Sequence, residues 1–299
     1  MRSDTRMIHR SHFLLCSALL LGGGSQAQLG GSSIFRILDI PSSARIAGLG
    51  GIQMAVLDND LNLALFNPAL LNREMSQQVS LSYLPYIDGI NMGYASYGQH
   101  FDSLNATFSG MVQYVDYGTF TRRDETGADL GTFHAGEYVV QVGGARAIDS
   151  LFSVGMNVKY LSSQLENYRA NGVAFDVGGV FNKRSAGLTI SAMVRNLGAV
   201  FSTYTDQKEK LPYQVQLGTT YKFKHAPFRL GLMLENLQRW DLSYADPNAD
   251  VQIDPTTGDP IVDKVTTGEK AMLHVIPNVE ILLGKNFMIR AGYNYRRRQ

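Results

Sequence analysis

Cysteine is nearly absent from this chain of 299 residues, and the single one, Cys16, lies close to the N-terminus. No disulfide framework and no cysteine metal site can be built from one thiol. Neither charge sign prevails: 27 Lys and Arg stand against 26 Asp and Glu, for a net charge of +1. A nucleic-acid binder shows a strong basic excess, which is missing here. Catalytic signatures are missing as well. The chain contains no G-x-S-x-G elbow, S-x-x-K, H-E-x-x-H or P-loop. His100, His134, His225 and His274 are far apart and show no ligand spacing, so isolated histidines are preferred over a metal site. No apolar stretch after the first thirty residues is long enough for a spanning helix, which needs about twenty residues.

The N-terminus has an export pattern. Arg2, Arg6 and Arg10 precede an apolar run over 13–21, followed by small residues up to Ala27. A basic start, a short apolar core and a small-residue site describe a secretory signal peptide. Cleavage is expected after Ala27, so that 1–27 is removed together with Cys16. A lipoprotein signal at Cys16 is disfavoured by the bulk of Leu15 just ahead of it.

From 78 onward the chain alternates. Phe152, Val154, Met156, Val158 and Tyr160 are apolar, whereas Ser153, Gly155, Asn157 and Lys159 between them are small or polar. Period two places these sets on opposite faces of a strand. The same reading gives eleven strands, at 78–84, 90–100, 104–116, 137–147, 151–162, 172–182, 187–196, 213–223, 228–237, 271–283 and 287–296. Short links at 101–103, 148–150, 183–186, 224–227 and 284–286 alternate with long ones at 85–89, 117–136, 163–171, 197–212 and 238–270. A soluble sandwich has no reason to sort its connections in this way. An antiparallel outer-membrane barrel does: tight turns on one side and longer loops on the other. Aromatics near strand ends, such as Tyr138, Tyr160, Tyr213, Phe223, Phe228 and Tyr293, suit its interfacial girdles. The fold expected is therefore an all-β transmembrane barrel over 78–299. An odd strand count and the ending Arg296-Arg297-Arg298-Gln299 predict that further closing strands are needed, because an unpaired edge is costly in lipid.

The segment 28–77 differs. Its second half has helical spacing, Asp58 or Asp60 can cap a short helix, and Asn67-Pro68 suits another helix start. A wide barrel has a lumen to fill, and this segment is the natural plug or cap.

At this point the chain resembles known proteins. SSARIAGLGG at 42–51, followed by Phe66-Asn67-Pro68-Ala69-Leu70-Leu71, is similar to the start of the FadL-like outer-membrane barrels. FRILDIPSSAR at 35–45 together with DNDLNLALFNPALLN at 58–72 resembles more closely the PorQ group of the type IX secretion system. Val194-Arg195-Asn196-Leu197-Gly198 and Leu234-Glu235-Asn236-Leu237 fit the same group. The resemblance implies a fourteen-stranded barrel with an N-terminal plug and no catalytic residues or cofactor. It also implies a place among type IX attachment-complex proteins: the sortase-like PorU, a PorV-like shuttle, and PorZ, which such a barrel anchors at the surface.

Three sets of residues carry the functional expectations. Phe66, Asn67, Pro68 and Ala69 form the plug motif. Arg146, Lys159, Asp176, Arg195, Lys222, Arg229, Glu235, Glu280 and Arg290 occupy polar strand faces and are expected to meet water, the plug or each other inside the lumen. Their mixed signs favour ion pairing over a selectivity ring of one sign. The third set is the longest loop, with Trp240, Tyr244 and the acids Asp246, Asp250, Asp254, Asp259 and Asp263. Asp246-Pro247-Asn248-Ala249-Asp250 begins like a calcium loop, but Val251 stands where glycine is required. A solvated external loop that docks a protein partner is expected instead. The alternative function, by analogy of fold alone, is a channel for hydrophobic small molecules.

Overall fold

The period-two pattern becomes one antiparallel sheet of eleven strands, hydrogen-bonded in sequence order. The computed structural model describes residues 33–204, 209–243, 265–284 and 287–298. The expected signal peptide and the loop residues Tyr244, Asp246, Asp250, Asp254, Asp259 and Asp263 lie outside the described residues.

The strands are β1 (Gln78–Pro85), β2 (Asn91–Phe101), β3 (Ala106–Arg123), β4 (Asp129–Ala147), β5 (Phe152–Leu165) and β6 (Tyr168–Lys183). They continue as β7 (Leu188–Ser202), β8 (Gln214–Lys222), β9 (Phe228–Leu234), β10 (Val275–Leu283) and β11 (Phe287–Gly292). Each pairs with its sequence neighbour, and among the described residues β1 and β11 are each paired on one side only. There is no helix long and apolar enough to cross a membrane among the described residues, which says nothing of crossing by strands.

Four expected boundaries are corrected. The links at 117–136 and 163–171 are mostly strand: β3 and β4 run on to a turn at 124–128, and β5 and β6 meet across 166–167. Thr119, Phe120 and Thr121 pair with His134, Phe133 and Thr132, and the Phe120 and Phe133 rings stack with centroids 5.4 Å apart. β-branched and aromatic cross-strand pairs stabilise a ladder beyond the main sheet. Conversely, the strand expected at 271–283 begins only at Val275. A capping box between Thr266 and Glu269 starts the helix Thr267–Met272 just before it. The last strand ends at Gly292, with a 3-10 turn at Tyr295–Arg298 after it.

The segment from 33 to 77 lies against the concave face of the sheet, as two short helices, α1 (Ala44–Gly48) and α2 (Leu61–Phe66), with 3-10 turns around them. Ser43 caps α1 by accepting from the Ile46 amide, and Asp60 caps α2 by accepting from Asn62. Pro68 opens the next turn, where its missing N–H costs nothing. Ile37, Ile46, Met54, Leu63, Leu70 and Met75 are fully buried. Burying each such side chain contributes about 1.5–3 kcal/mol, as an upper estimate. The core is therefore built between this segment and the sheet, not between two sheets. Contacts reach from β1 and β2 across to β11, so the sheet curls around the segment.

Candidate functional site

The plug motif is the centre of that packing. Asn67 is fully buried, and its side-chain amide donates to the Met54 carbonyl at 2.9 Å and to the Ser191 hydroxyl on β7 at 2.8 Å. Its side-chain oxygen accepts from the Ala69 amide at 3.1 Å. Two strand glycines make this approach possible. A Cβ on Gly155 would stand 2.5 Å from the Pro68 carbonyl carbon, and one on Gly178 would stand 2.3 Å from the Asn67 side-chain oxygen. Phe66 meets the Arg195 guanidinium, 3.6 Å above its ring centroid.

The inward charges gather into clusters. Lys159 and Asp176, both fully buried, pair at 2.7 Å. Around them, Asn196 takes a left-handed conformation, accepts from Lys159 at 2.9 Å and donates its own amide to Asp176 at 2.9 Å. This shifts the β6–β7 register between Phe175 and Val177. Arg195 also donates to the Leu38 carbonyl at 3.3 Å. The second cluster centres on Glu280, which meets Arg229 on β9, Arg290 on β11 at 2.8 Å and Arg45 of α1 at 3.0 Å. Arg45 in turn binds Asp58 at 2.8 Å and Asp60 at 3.0 Å. Glu235 pairs with Arg296 at 2.9 Å. All seven of Lys159, Asp176, Arg195, Arg229, Glu235, Glu280 and Arg290 thus face the interior and meet a counter-charge, a ring or the N-terminal segment.

Arg146 is a correction: it shares the outward face of β4 with Val140 and Val142, at the turn end, and is exposed. Counting from Tyr138 puts it on the even positions, opposite Gln141 and Ala145. Lys222 keeps the inward parity of β8 but stands exposed at the strand's last residue. Sequence reading misses Arg45, the only cation between Arg36 and Arg73, and Glu137, an inward residue whose carboxylate accepts from Ser163 at 3.3 Å. Glu137 begins an expected strand, and its parity with Gln141 is the signal that places it inside.

The convex face has the opposite chemistry. Among the described residues, outward charged side chains lie only toward the two ends of the sheet: Asp116 and Arg169 stand beyond the level of the Tyr114–Tyr138 pair, and Arg146 and Lys183 stand at the tight turns. Three aromatic pairs line the tight-turn end: Phe101 with Phe108, Phe152 with Phe181, and Tyr221 with Phe223. Near the other end Tyr83, Gly93, Tyr114 and Tyr138 are consecutive partners across four strands, and the Tyr114 ring lies over Gly93. Phe152 to Tyr160, and Tyr213 to Tyr221, each span eight residues. At about 3.3 Å per residue this is roughly 26 Å along the strand, close to the apolar band of about 25 Å on membrane barrels before tilt is considered.

At the base of the longest loop, Trp240 is exposed and stacks on His274, with centroids 5.7 Å apart. The two His274 ring nitrogens lie 2.8 Å from the Glu235 carbonyl oxygen and 3.0 Å from that of Trp240. Lys270 of α3 (Thr267–Met272) pairs with Asp241, so the two stems of the loop are joined. The Lys270 ammonium and the Ser243 hydroxyl hold the Asp241 carboxyl well below the usual carboxylate range. Among the described residues no group of three His, Cys, Asp or Glu is placed to hold a metal ion. No family model matches the chain, and no curated protein matches it.

Proposed function

We propose that this chain is a non-enzymatic outer-membrane barrel of the PorQ type. It anchors a PorZ-like surface protein within a type IX attachment complex that also holds PorU and PorV-like members. The observation that carries the membrane part is the outward face: uncharged between two aromatic rows, around an interior occupied by the N-terminal segment. In water such a face would be a large exposed apolar patch; in lipid it is the required surface. An unpaired edge is costly in a bilayer. In this reading the edges of β1 and β11 are paired in the membrane, as barrel closure requires.

The filled interior favours a scaffold over the alternative, a FadL-like channel for hydrophobic small molecules. The pocket between the N-terminal segment and the sheet, beside Phe66, Gln141, Lys159 and Arg195, is about 20 Å³, room for about one water; a larger hollow of about 490 Å³ lies at the loop end of β7, beside Leu197, Val200, Lys210 and Leu211. The secretion role rests on the resemblance of 35–45, 58–72 and the Asn-Leu strand ends. The partner-docking element is the loop from Trp240 through the acids at 246–263, whose stems are pinned by His274 and Lys270. Excising 247–265 in cells should leave a heat-modifiable protein in the outer membrane and shed a surface protein into the medium. Retention of every surface protein, with lost uptake of a hydrophobic solute, would instead support the channel.

A further inference from the structure

The tight-turn end of the sheet is predominantly basic over the sector from β4 to β9. The β6–β7 turn carries Lys183 and Arg184, and the β8–β9 turn carries Lys222 and Lys224; all four are exposed. The two turns touch, since the Lys222 amide donates to the Gly187 carbonyl at 2.8 Å. The β4–β5 turn adjoins them through the Asn182 amide and the Leu151 carbonyl at 2.7 Å, and adds Arg146. Among the described residues none of these five cations is in an ion pair. The single carboxylate in these turns, Asp149, accepts from the Leu151 and Phe152 amides at 2.7 Å each. Like charges gathered without counter-ions repel one another, so an anion supplied from outside the chain would stabilise this arc.

What lies next to the arc identifies the anion. The paired rings of Phe152 and Phe181, and of Tyr221 and Phe223, stand on the outward face directly beside these turns. Rings at the glycerol level with ammonium and guanidinium groups just beyond them match the depth profile of a phospholipid: acyl chains, ester region, phosphate. A soluble polyanion would meet the cations but leave the aromatic row unused. By contrast with this sector, the other end carries mixed signs, as in the Arg122–Glu166 pair and the Asp124 turn, and so does the β2–β3 turn, where Arg73 pairs with Asp102. We propose that Lys183, Arg184, Lys222 and Lys224, with Arg146 beside them, form a docking arc for anionic phospholipid headgroups of the leaflet at the tight-turn side. This rests on the membrane reading above. It adds that the protein selects lipids by charge on one leaflet and one sector of its circumference.

The test uses the full chain reconstituted into phosphatidylcholine vesicles with a minor fraction of spin-labelled phosphatidylglycerol or spin-labelled phosphatidylcholine. Protease protection of the strands first reports insertion. Inserted wild-type protein should immobilise the anionic label preferentially over the zwitterionic one. The variant K183Q/R184Q/K222Q/K224Q should insert equally and lose at least about threefold of that preference, as expected for removing several cations near a surface. A matched variant at the other end, R122Q/R123Q/R169Q/K210Q, should keep it. Equal preference in wild type and the turn-side variant, both inserted, would overturn the arc alone. Failure of the wild type to insert would overturn the membrane reading with it. Abolition of the preference by millimolar inorganic phosphate would show a simple ion site and overturn the headgroup assignment.

Discussion

Arg45 and Glu280 are joined by two hydrogen bonds, at 3.0 and 3.3 Å, across 235 positions of sequence. The bond ties α1 to β10, and Glu280 also holds Arg229 and Arg290, so a single carboxylate bridges three guanidinium groups from three elements, with Asp58 and Asp60 completing the charge balance through Arg45. Truncating one partner of a buried ion pair leaves the others unpaired and costs about 3–5 kcal/mol. Glu280→Ala should therefore lower the stability of the refolded protein by that amount in urea titration and loosen the N-terminal segment to proteolysis. Arg290→Ala removes only one more exposed partner and should cost less. Equal stability of Glu280→Ala and the wild type would show that the cluster does not hold the segment.

The seat of Asn67-Pro68 gives a sharper steric test. Gly155 faces the Pro68 backbone so closely that an added methyl must displace the segment or the strand. Overpacking of this kind costs about 1–3 kcal/mol. Gly155→Ala should shift the unfolding midpoint accordingly. Gly110, with nothing within 4 Å of the equivalent position, should accept alanine with a change within about 0.5 kcal/mol. Matching behaviour of the two variants would mean that the N-terminal segment does not occupy this seat in solution.

The strands are legible in the sequence because their period is two and their inward and outward residues differ in kind. Phe152 to Lys159 shows both faces in eight residues. What parity cannot reveal is where a ladder ends. The expected loop at 117–136 is mostly hairpin, because Phe120 and Phe133 stack across it, a contact between residues that local pattern treats as separate. Lys159 and Asp176 are legible as inward charges, yet their union through Asn196 is not, since it depends on a register shift. Arg45 is the clearest omission. It sits in a glycine-rich stretch without strand periodicity, so nothing local points to the carboxylate on β10 that it meets. The basic arc at the turns is likewise dispersed over 146–224 and becomes a cluster only when adjacent hairpins align.

The base of the long loop supplies a pH prediction. Asp241 has its folded acidity strengthened by Lys270 and Ser243. A carboxylate with a depressed folded pKa contributes stability above its ordinary value, about 3.9, and loses it as pH falls through the folded value. The stem should stay joined from pH 8 down to below pH 4 and open only in stronger acid. The pair is exposed, so the global effect is small, and the readout should be local. Hydrogen exchange at the Ser243 amide, which donates to Asp241 at 3.0 Å, should accelerate in Asp241→Asn at neutral pH. An unchanged rate would remove the stem pair from the account.

The outward face can be probed by depth. Met156 lies midway between Phe152 and Tyr160 on the convex face of β5 and is 52% exposed to solvent in the isolated chain. If that face met water, an arginine there would change stability by no more than about 0.5 kcal/mol. In lipid the same substitution near the midplane costs about 2–4 kcal/mol, falling toward zero at the interfaces. Met156→Arg should thus lower folding yield and midpoint in vesicles by the larger amount. Gln164→Arg, on the same face but beyond Tyr160, should be nearly silent. The graded loss is what identifies a bilayer, because a protein–protein interface would penalise a buried charge without regard to height along the strand. If Met156→Arg folds, inserts and survives denaturant like the wild type, this face does not contact acyl chains, and the barrel reading falls with it.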